Sequence, residues 1–220
     1  LIVADSLASA RPDSAIALLN TLKESMKAES EATRMYYRLL CIKANDKAYI
    51  RHTSDSLILP VLHYYTEKKD EHHLPEAYYY AGRVYRDLED APLALDYFQK
   101  AIDALPDNKG YRLKSKIYSQ MGTLFLYQKT YDEALKILKE ARKCNIALKD
   151  SASMVFNLRD IANGYRCLDQ NDSSLYYLRK AYYIAKVLRN YDLMAMVQSQ
   201  MASLYIELEK YDLARKFLQP

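Results

Sequence analysis

The sequence predicts an all-α fold, a solenoid of stacked helix-turn-helix units, and three observations carry that prediction. A column of small residues, Gly82, Gly122, Ala162 and Ala202, recurs at intervals of 40 (122−82, 162−122 and 202−162). An aromatic stands three places after each, at Tyr85, Phe125, Tyr165 and Tyr205. A second small residue lies twelve places on (Ala94, Ala134, Ser174, Ala214), with a large apolar one four beyond it (Phe98, Leu138, Leu178, Leu218). A fixed period of this length marks an array in which each unit buries its apolar face against its neighbours. The Tyr runs follow the helical period rather than alternation, so strand signals are nearly absent.

Each position has a physical role. A glycine or alanine midway along a helix lets the next helix approach closely, and the aromatic three residues later fills the wider gap on the same face. The second small residue sits on the following helix and receives the first. A further small residue closes the unit at Ala101, Ala141 and Ala181.

Taken along the chain, Leu1 to Ala10 reads as a short helix, and Arg11-Pro12-Asp13-Ser14 starts a second that carries Ala15, Ile16, Leu18, Leu19 and Leu22. Glu31 to Asn45 is a third, with a partner from about Ser54 to Thr66 after a lengthened turn. Residues 1–72 are thus two degenerate units. Recognisable units follow at 75–108, 115–148, 155–188 and 195–220, the last cut short, and no linker divides the single array of 1–220. Turn chemistry agrees. Glu89-Asp90-Ala91-Pro92, Thr130-Tyr131-Asp132, Asn171-Asp172-Ser173 and Lys210-Tyr211-Asp212 separate the helices of each unit, with Asp, Asn and Ser placed to cap. Pro106-Asp107-Asn108-Lys109-Gly110 is the strongest breaker between units.

These spacings resemble the tetratricopeptide repeat, whose pattern runs aromatic, Leu-Gly, Tyr, then Ala, Phe, Ala and Pro. The closest agreement is Tyr78, Ala81, Gly82, Tyr85, Ala94, Phe98, Ala101 and Pro106, and the resemblance covers about residues 73–220. It implies a right-handed α–α superhelical solenoid. The family unit is usually about 34 residues; six more add roughly one and a half helical turns. HEAT and armadillo arrays share the longer period, but the spacing of small and aromatic residues favours the tetratricopeptide type with extended helices.

Composition narrows the function. Half the residues are apolar and 27% charged, and the net charge of +4 is mild for 220 residues. A nucleic-acid partner would ask for a stronger basic stripe. No apolar run is long enough to span a bilayer. The chain opens on Leu1, without a leader, and stops at Pro220 inside the closing helix of its last unit. It therefore reads as a piece of a longer protein, ahead of a complete small one. Cys41, Cys144 and Cys167 have no close spacing, which argues against a disulfide framework. His63, His72 and His73 stand near Glu71 and Glu76, yet adjacent His72 and His73 diverge and read as a solvated pair, so no metal site is expected. Four glycines leave no phosphate loop, and no nucleophile carries a recognisable motif; neither a catalytic residue nor a cofactor is expected.

What remains is the groove that the resemblance implies, lined by the first helix of each unit. Its positions map to Tyr79, Arg83 and Arg86, to Thr123 with Ser119 and Leu126, to Arg159, Asn163 and Arg166, and to Gln200 with Ser199 and Ser203. Arg159, Asn163 and Gln200 imitate the family's carboxylate clamp, with Arg for Lys and Gln for Asn, although the unit that would complete the clamp is lacking. The arginines either prefer an acidic segment or simply solvate a helix face and pair with Asp87 and Asp160. The expected function is a non-catalytic module that binds a protein or peptide segment, the sensing part of a larger bacterial protein. The alternatives are an enzyme using the groove as its cleft, or the sensory region of a transcriptional regulator whose DNA-binding domain lies outside this chain. A cell-envelope or periplasmic setting stands slightly ahead of the cytoplasm. The last helix, with Leu213, Phe217 and Leu218, is a candidate homodimer surface.

Overall fold

The structure, a computed structural model, describes residues 1–106 and 110–218, with only the backbone of Leu218. The centre of the predicted breaker, Asp107 to Lys109, lies outside the described residues, as does the side chain of Leu218. Twelve α-helices and one 3-10 turn (Ser25–Ala28) make up the described residues, with no strand among them. They are α1 (Ile2–Ala10), α2 (Pro12–Leu22), α3 (Glu31–Lys47), α4 (Ile58–Glu67), α5 (Leu74–Asp87), α6 (Ala91–Asp103), α7 (Tyr111–Tyr127), α8 (Tyr131–Leu148), α9 (Ser151–Cys167), α10 (Asn171–Val187), α11 (Tyr191–Glu207) and α12 (Tyr211–Leu218). The chain divides into two compact units, Leu1–Pro106 and Asp107–Pro220.

The anticipated packing is present in both. A Cβ placed on Gly82 would lie 2.5 Å from two ring carbons of Phe98, and one on Gly122 would lie 2.5 Å from Leu138 Cδ2 and Cγ. The glycine therefore receives the large apolar residue sixteen places on, rather than the small one twelve places on. The small column is buried at Ala94, Ala134, Ser174 and Ala214, and Ala101, Ala141 and Ala181 are inaccessible. The aromatics have a use that spacing alone did not suggest. Tyr85 stacks on Tyr97, Tyr165 on Tyr177 and Tyr205 on Phe217, each twelve places on, with planes within 8° to 12°. Phe217 is thereby partly buried against the core.

The turns hold a surprise. Lys129, Lys149, Asp169, Arg189 and Glu209, spaced by 20, all have positive φ, as do Tyr49, Lys69 and Glu89. At each, two backbone bonds close the helix: Asp169 N–H donates to Arg166 O at 2.9 Å and Gln170 N–H to Tyr165 O at 2.9 Å. This Schellman closure usually takes glycine, because the left-handed region costs other residues roughly 1–2 kcal/mol. Capping also differs from expectation. Asp90 caps Leu93 as predicted, but the caps between hairpins are Ser30, Asp150 and Asn190, which accept from Thr33, Ser153 and Leu193. Thr130 instead donates its hydroxyl back to Phe125 O, and Asn171 is already inside α10 behind Gln170.

In the first unit, α4 begins at Ile58 rather than near Ser54, because residues 48–57 form the lengthened turn. That turn is pinned. His52 donates its backbone N–H to Asp87 Oδ2 at 3.1 Å and sets Nδ1 2.8 Å from the same atom, while Arg51 reaches Asp87 O and Glu89. Lys43 joins Asp5 (2.7 Å) to Glu76 (2.9 Å), tying α1, α3 and α5 together. In the second unit, one core cluster links Leu158, Leu178, Val197, Met201 and Tyr205 across three helices. There the first helices touch, α7 with α9 and α9 with α11, while no contact of comparable extent joins α8 to α10.

Candidate partner-binding clefts

The groove positions separate into two groups. In the first unit Tyr79 is 3% exposed, edge-on to Tyr80 and tilted against Phe98, so it belongs to the core and offers no groove surface. Arg83 and Arg86 line a cleft of about 240 Å³ with Asp46, Tyr49, Ile50, Arg51 and Asp87. Both are engaged: Arg83 lies against the buried Asp46, and Arg86 Nη2 is 2.6 Å from Asp87. Burial alone would raise the Asp87 carboxyl, but the Arg86 hydrogen bond and the two His52 contacts outweigh it and hold the group below its ordinary value.

The second unit is where the predicted residues converge. Thr123 on α7, Arg159, Asn163 and Arg166 on α9, and Gln200 on α11 line one cleft of about 330 Å³, joined by Leu126, Tyr127 and Asp160. Residues 159, 163 and 166 share one helical face because they are four and three apart. Arg159 is held by three neighbours. Its Nε and Nη2 donate to Asp160 Oδ1 at 2.9 and 2.7 Å, its Nη1 meets Met196 Sδ at 3.2 Å, and it lies 5.4 Å above Phe156. Arg166 donates from Nη2 to Asn163 Oδ1 at 3.0 Å, and its Nη1 stands 3.6 Å from Glu207. Burial pushes the Asp160 carboxyl above its ordinary value, and the Arg159 contacts offset that only in part.

Asp160 and Tyr127 were not chosen from the sequence as groove residues. Asp160 occupies the register of Gln200 one period earlier (200−160 = 40), so the repeat itself carried that signal. Tyr127 is 79% exposed at the end of α7, one residue beyond the mapped Leu126. Chemically the cleft offers amides that both donate and accept, at Asn163 and Gln200, beside two guanidinium groups and one carboxyl. That set suits main-chain peptide groups and a carboxylate. Its one aliphatic hydroxyl, Thr123, donates to Ser119 O at 2.9 Å, and no histidine lines it.

The remaining expected groups fall elsewhere. His73 is not merely solvated: its Nδ1 sits 2.9 Å from Asp70, and its ring stacks on Tyr65 and meets Tyr36 edge-on. Glu76 is engaged with Lys43. Cys41 is partly buried, Cys144 buried and Cys167 exposed. Among the described residues no group of three or more His, Cys, Asp or Glu side chains is placed to hold a metal ion, and no helix is long and apolar enough to cross a membrane.

With this geometry in view, the model of the tetratricopeptide repeat family matches residues 73–147. Over that stretch, about a third of the chain, the sequence is similar to tetratricopeptide repeats. Solved structures extend the likeness of the repeat fold over almost the whole length. The signal-transduction ATPase with a tetratricopeptide repeat sensor from Pyrococcus horikoshii superposes with a TM-score of 0.79 at 17% identity, over 97% of this chain and 34% of its own. The apo form of RapI gives 0.78 at 15% identity, over 98% of this chain and 61% of RapI. A Rap protein complexed with Competence and Sporulation Factor gives 0.71 at 15%, over 97% and 61%. The chain thus spans about a third of the first and about three-fifths of the other two. No curated protein matches its sequence. At these identities the likeness establishes the fold, an all-α superhelical array of repeats.

Proposed function

We propose that this tetratricopeptide-repeat chain is a non-catalytic module that senses a peptide or protein segment, held in the cleft of α7, α9 and α11. The observation that supports it is convergence. Five residues selected by register, from three separate helices, line a single cleft together with one perturbed carboxyl. The likeness to an array described as a sensor, and to a Rap protein solved with a bound factor, supports the same reading.

In this reading Asn163 and Gln200 take main-chain groups of the segment, and Arg166 takes an acidic side chain or terminal carboxylate. Arg159 plays a smaller part in charge selection, because Asp160 already neutralises it. The test is retention of an acidic peptide pool on the immobilised chain. Replacing Arg159 and Arg166 by Ala should weaken retention, and unchanged retention would refute the assignment.

A further inference from the structure

The second helices of the second unit carry a different surface. Between α8 and α10, over the start of α9, opens a cleft of about 540 Å³ whose walls include Ile146, Leu158, Tyr183 and Ile184. Beneath it the first helices touch, whereas α8 and α10 make no contact of comparable extent. Ile146, Tyr176 and Tyr183 are each more than half exposed, although such side chains normally cover one another.

Two further observations define what fits there. The rim carries Arg142, Arg179 and Lys180, and the lining includes no carboxylate. Lys180 lies over the Tyr176 ring at 4.4 Å. Arg142 and Arg179 have no ion-pair partner among the described residues, unlike the arginines of the α7–α9–α11 cleft, each of which has a carboxylate within 4 Å. The apolar stripe also outruns the cleft. Tyr176, Lys180, Tyr183 and Val187 follow one another by four, three and four residues along α10, an exposed line about 16 Å long at 1.5 Å per residue. A compact ligand would leave half of that line bare. An elongated segment with apolar residues on one face and acidic ones beside them would cover it.

We propose that this cleft docks an acidic amphipathic helical segment of a partner protein. Its apolar side chains seat on Ile146, Leu158, Tyr183 and Ile184, and its carboxylates face Arg142 and Arg179. The site is independent of the α7–α9–α11 cleft, so either assignment stands if the other fails.

The test uses the 220-residue chain and a fluorescein-labelled peptide about four helical turns long, with Leu at i, i+4, i+7 and i+11 and Glu at the flanking positions. A second peptide replaces every Glu by Lys, and dodecanoate is titrated as a competitor. Fluorescence anisotropy should show the acidic peptide binding at least tenfold more tightly than the basic one, with the preference fading as salt screens the rim. The double variant Arg142→Glu, Arg179→Glu should lose at least tenfold for the acidic peptide while its circular dichroism is unchanged. Equal binding of the two peptides, an unaffected double variant, or saturable dodecanoate binding without peptide binding would each overturn the proposal. As a second handle, Tyr183→Glu at an exposed position should weaken the acidic peptide as well, and full retention would count against the site.

Discussion

Gly82 lies directly beneath the ring of Phe98, leaving no room for even one carbon between them. The relation is local to one hairpin, yet it sets the distance between α5 and α6, because nothing softer than a ring edge separates the two backbones. Replacing Gly82 by Ala must push the ring or the helix aside. The expected loss is about 1–3 kcal/mol, the range for overpacked cores. Thermal unfolding should register it as a fall of several degrees. Combining Gly82→Ala with Phe98→Leu should recover part of the loss, and strict additivity of the two changes would argue against the contact.

Arg189 pays conformational strain at φ 52, and no hydrogen bond or ion pair among the described residues engages its side chain. Arg189→Gly should therefore stabilise the chain by up to about 1 kcal/mol, strain relief outweighing the extra freedom of the unfolded chain. Arg189→Val should destabilise it, since β-branching is least compatible with that region. Urea midpoints of the two variants, measured beside the parent, give the comparison.

Asp87 makes the first unit sensitive to acid. Its folded carboxyl is held below the ordinary value despite burial, by Arg86 and by both contacts from His52. A depressed acid contributes stability that is complete above the unfolded value, near 4, and is lost as pH falls toward the folded one. Asp160 runs the other way, because burial favours its protonated form and acid relieves that penalty. Asp87→Asn should lower stability at pH 7 and flatten the decline below about pH 4. Melting curves between pH 3 and pH 7 will show whether the slopes differ.

Asp160 and Arg166 of the α7–α9–α11 cleft should act in opposite senses on an acidic ligand. Asp160→Asn keeps the shape but removes the charge that neutralises Arg159, so capture of acidic peptides should strengthen severalfold. Arg166→Ala should weaken it by about tenfold, in line with the loss of one charge-assisted hydrogen bond. Binding isotherms for one acidic peptide against both variants are sufficient. If Asp160→Asn weakens binding, the carboxyl contacts the ligand rather than restraining Arg159.

The sequence by itself determined the helical hairpins and the register in which they stack. Gly82, Gly122, Ala162 and Ala202 announce where two backbones come close, and a contact repeated every 40 residues leaves its period in the chain. It also placed Thr123, Arg159, Asn163, Arg166 and Gln200 on one cleft, because residues in equivalent registers on successive first helices face the same way. Which charges are committed depends on packing between distant segments. Arg83 against Asp46 joins residues 37 positions apart, and no local pattern marks such a pair. The left-handed turns were equally hidden, since Lys149 and Arg189 stand where glycine would have been the signal. The gap between α8 and α10 lies between two helices that are not neighbours in sequence. Periodicity records contacts that recur in every unit, whereas ion pairs, strained turns and clefts depend on distances set once, by packing.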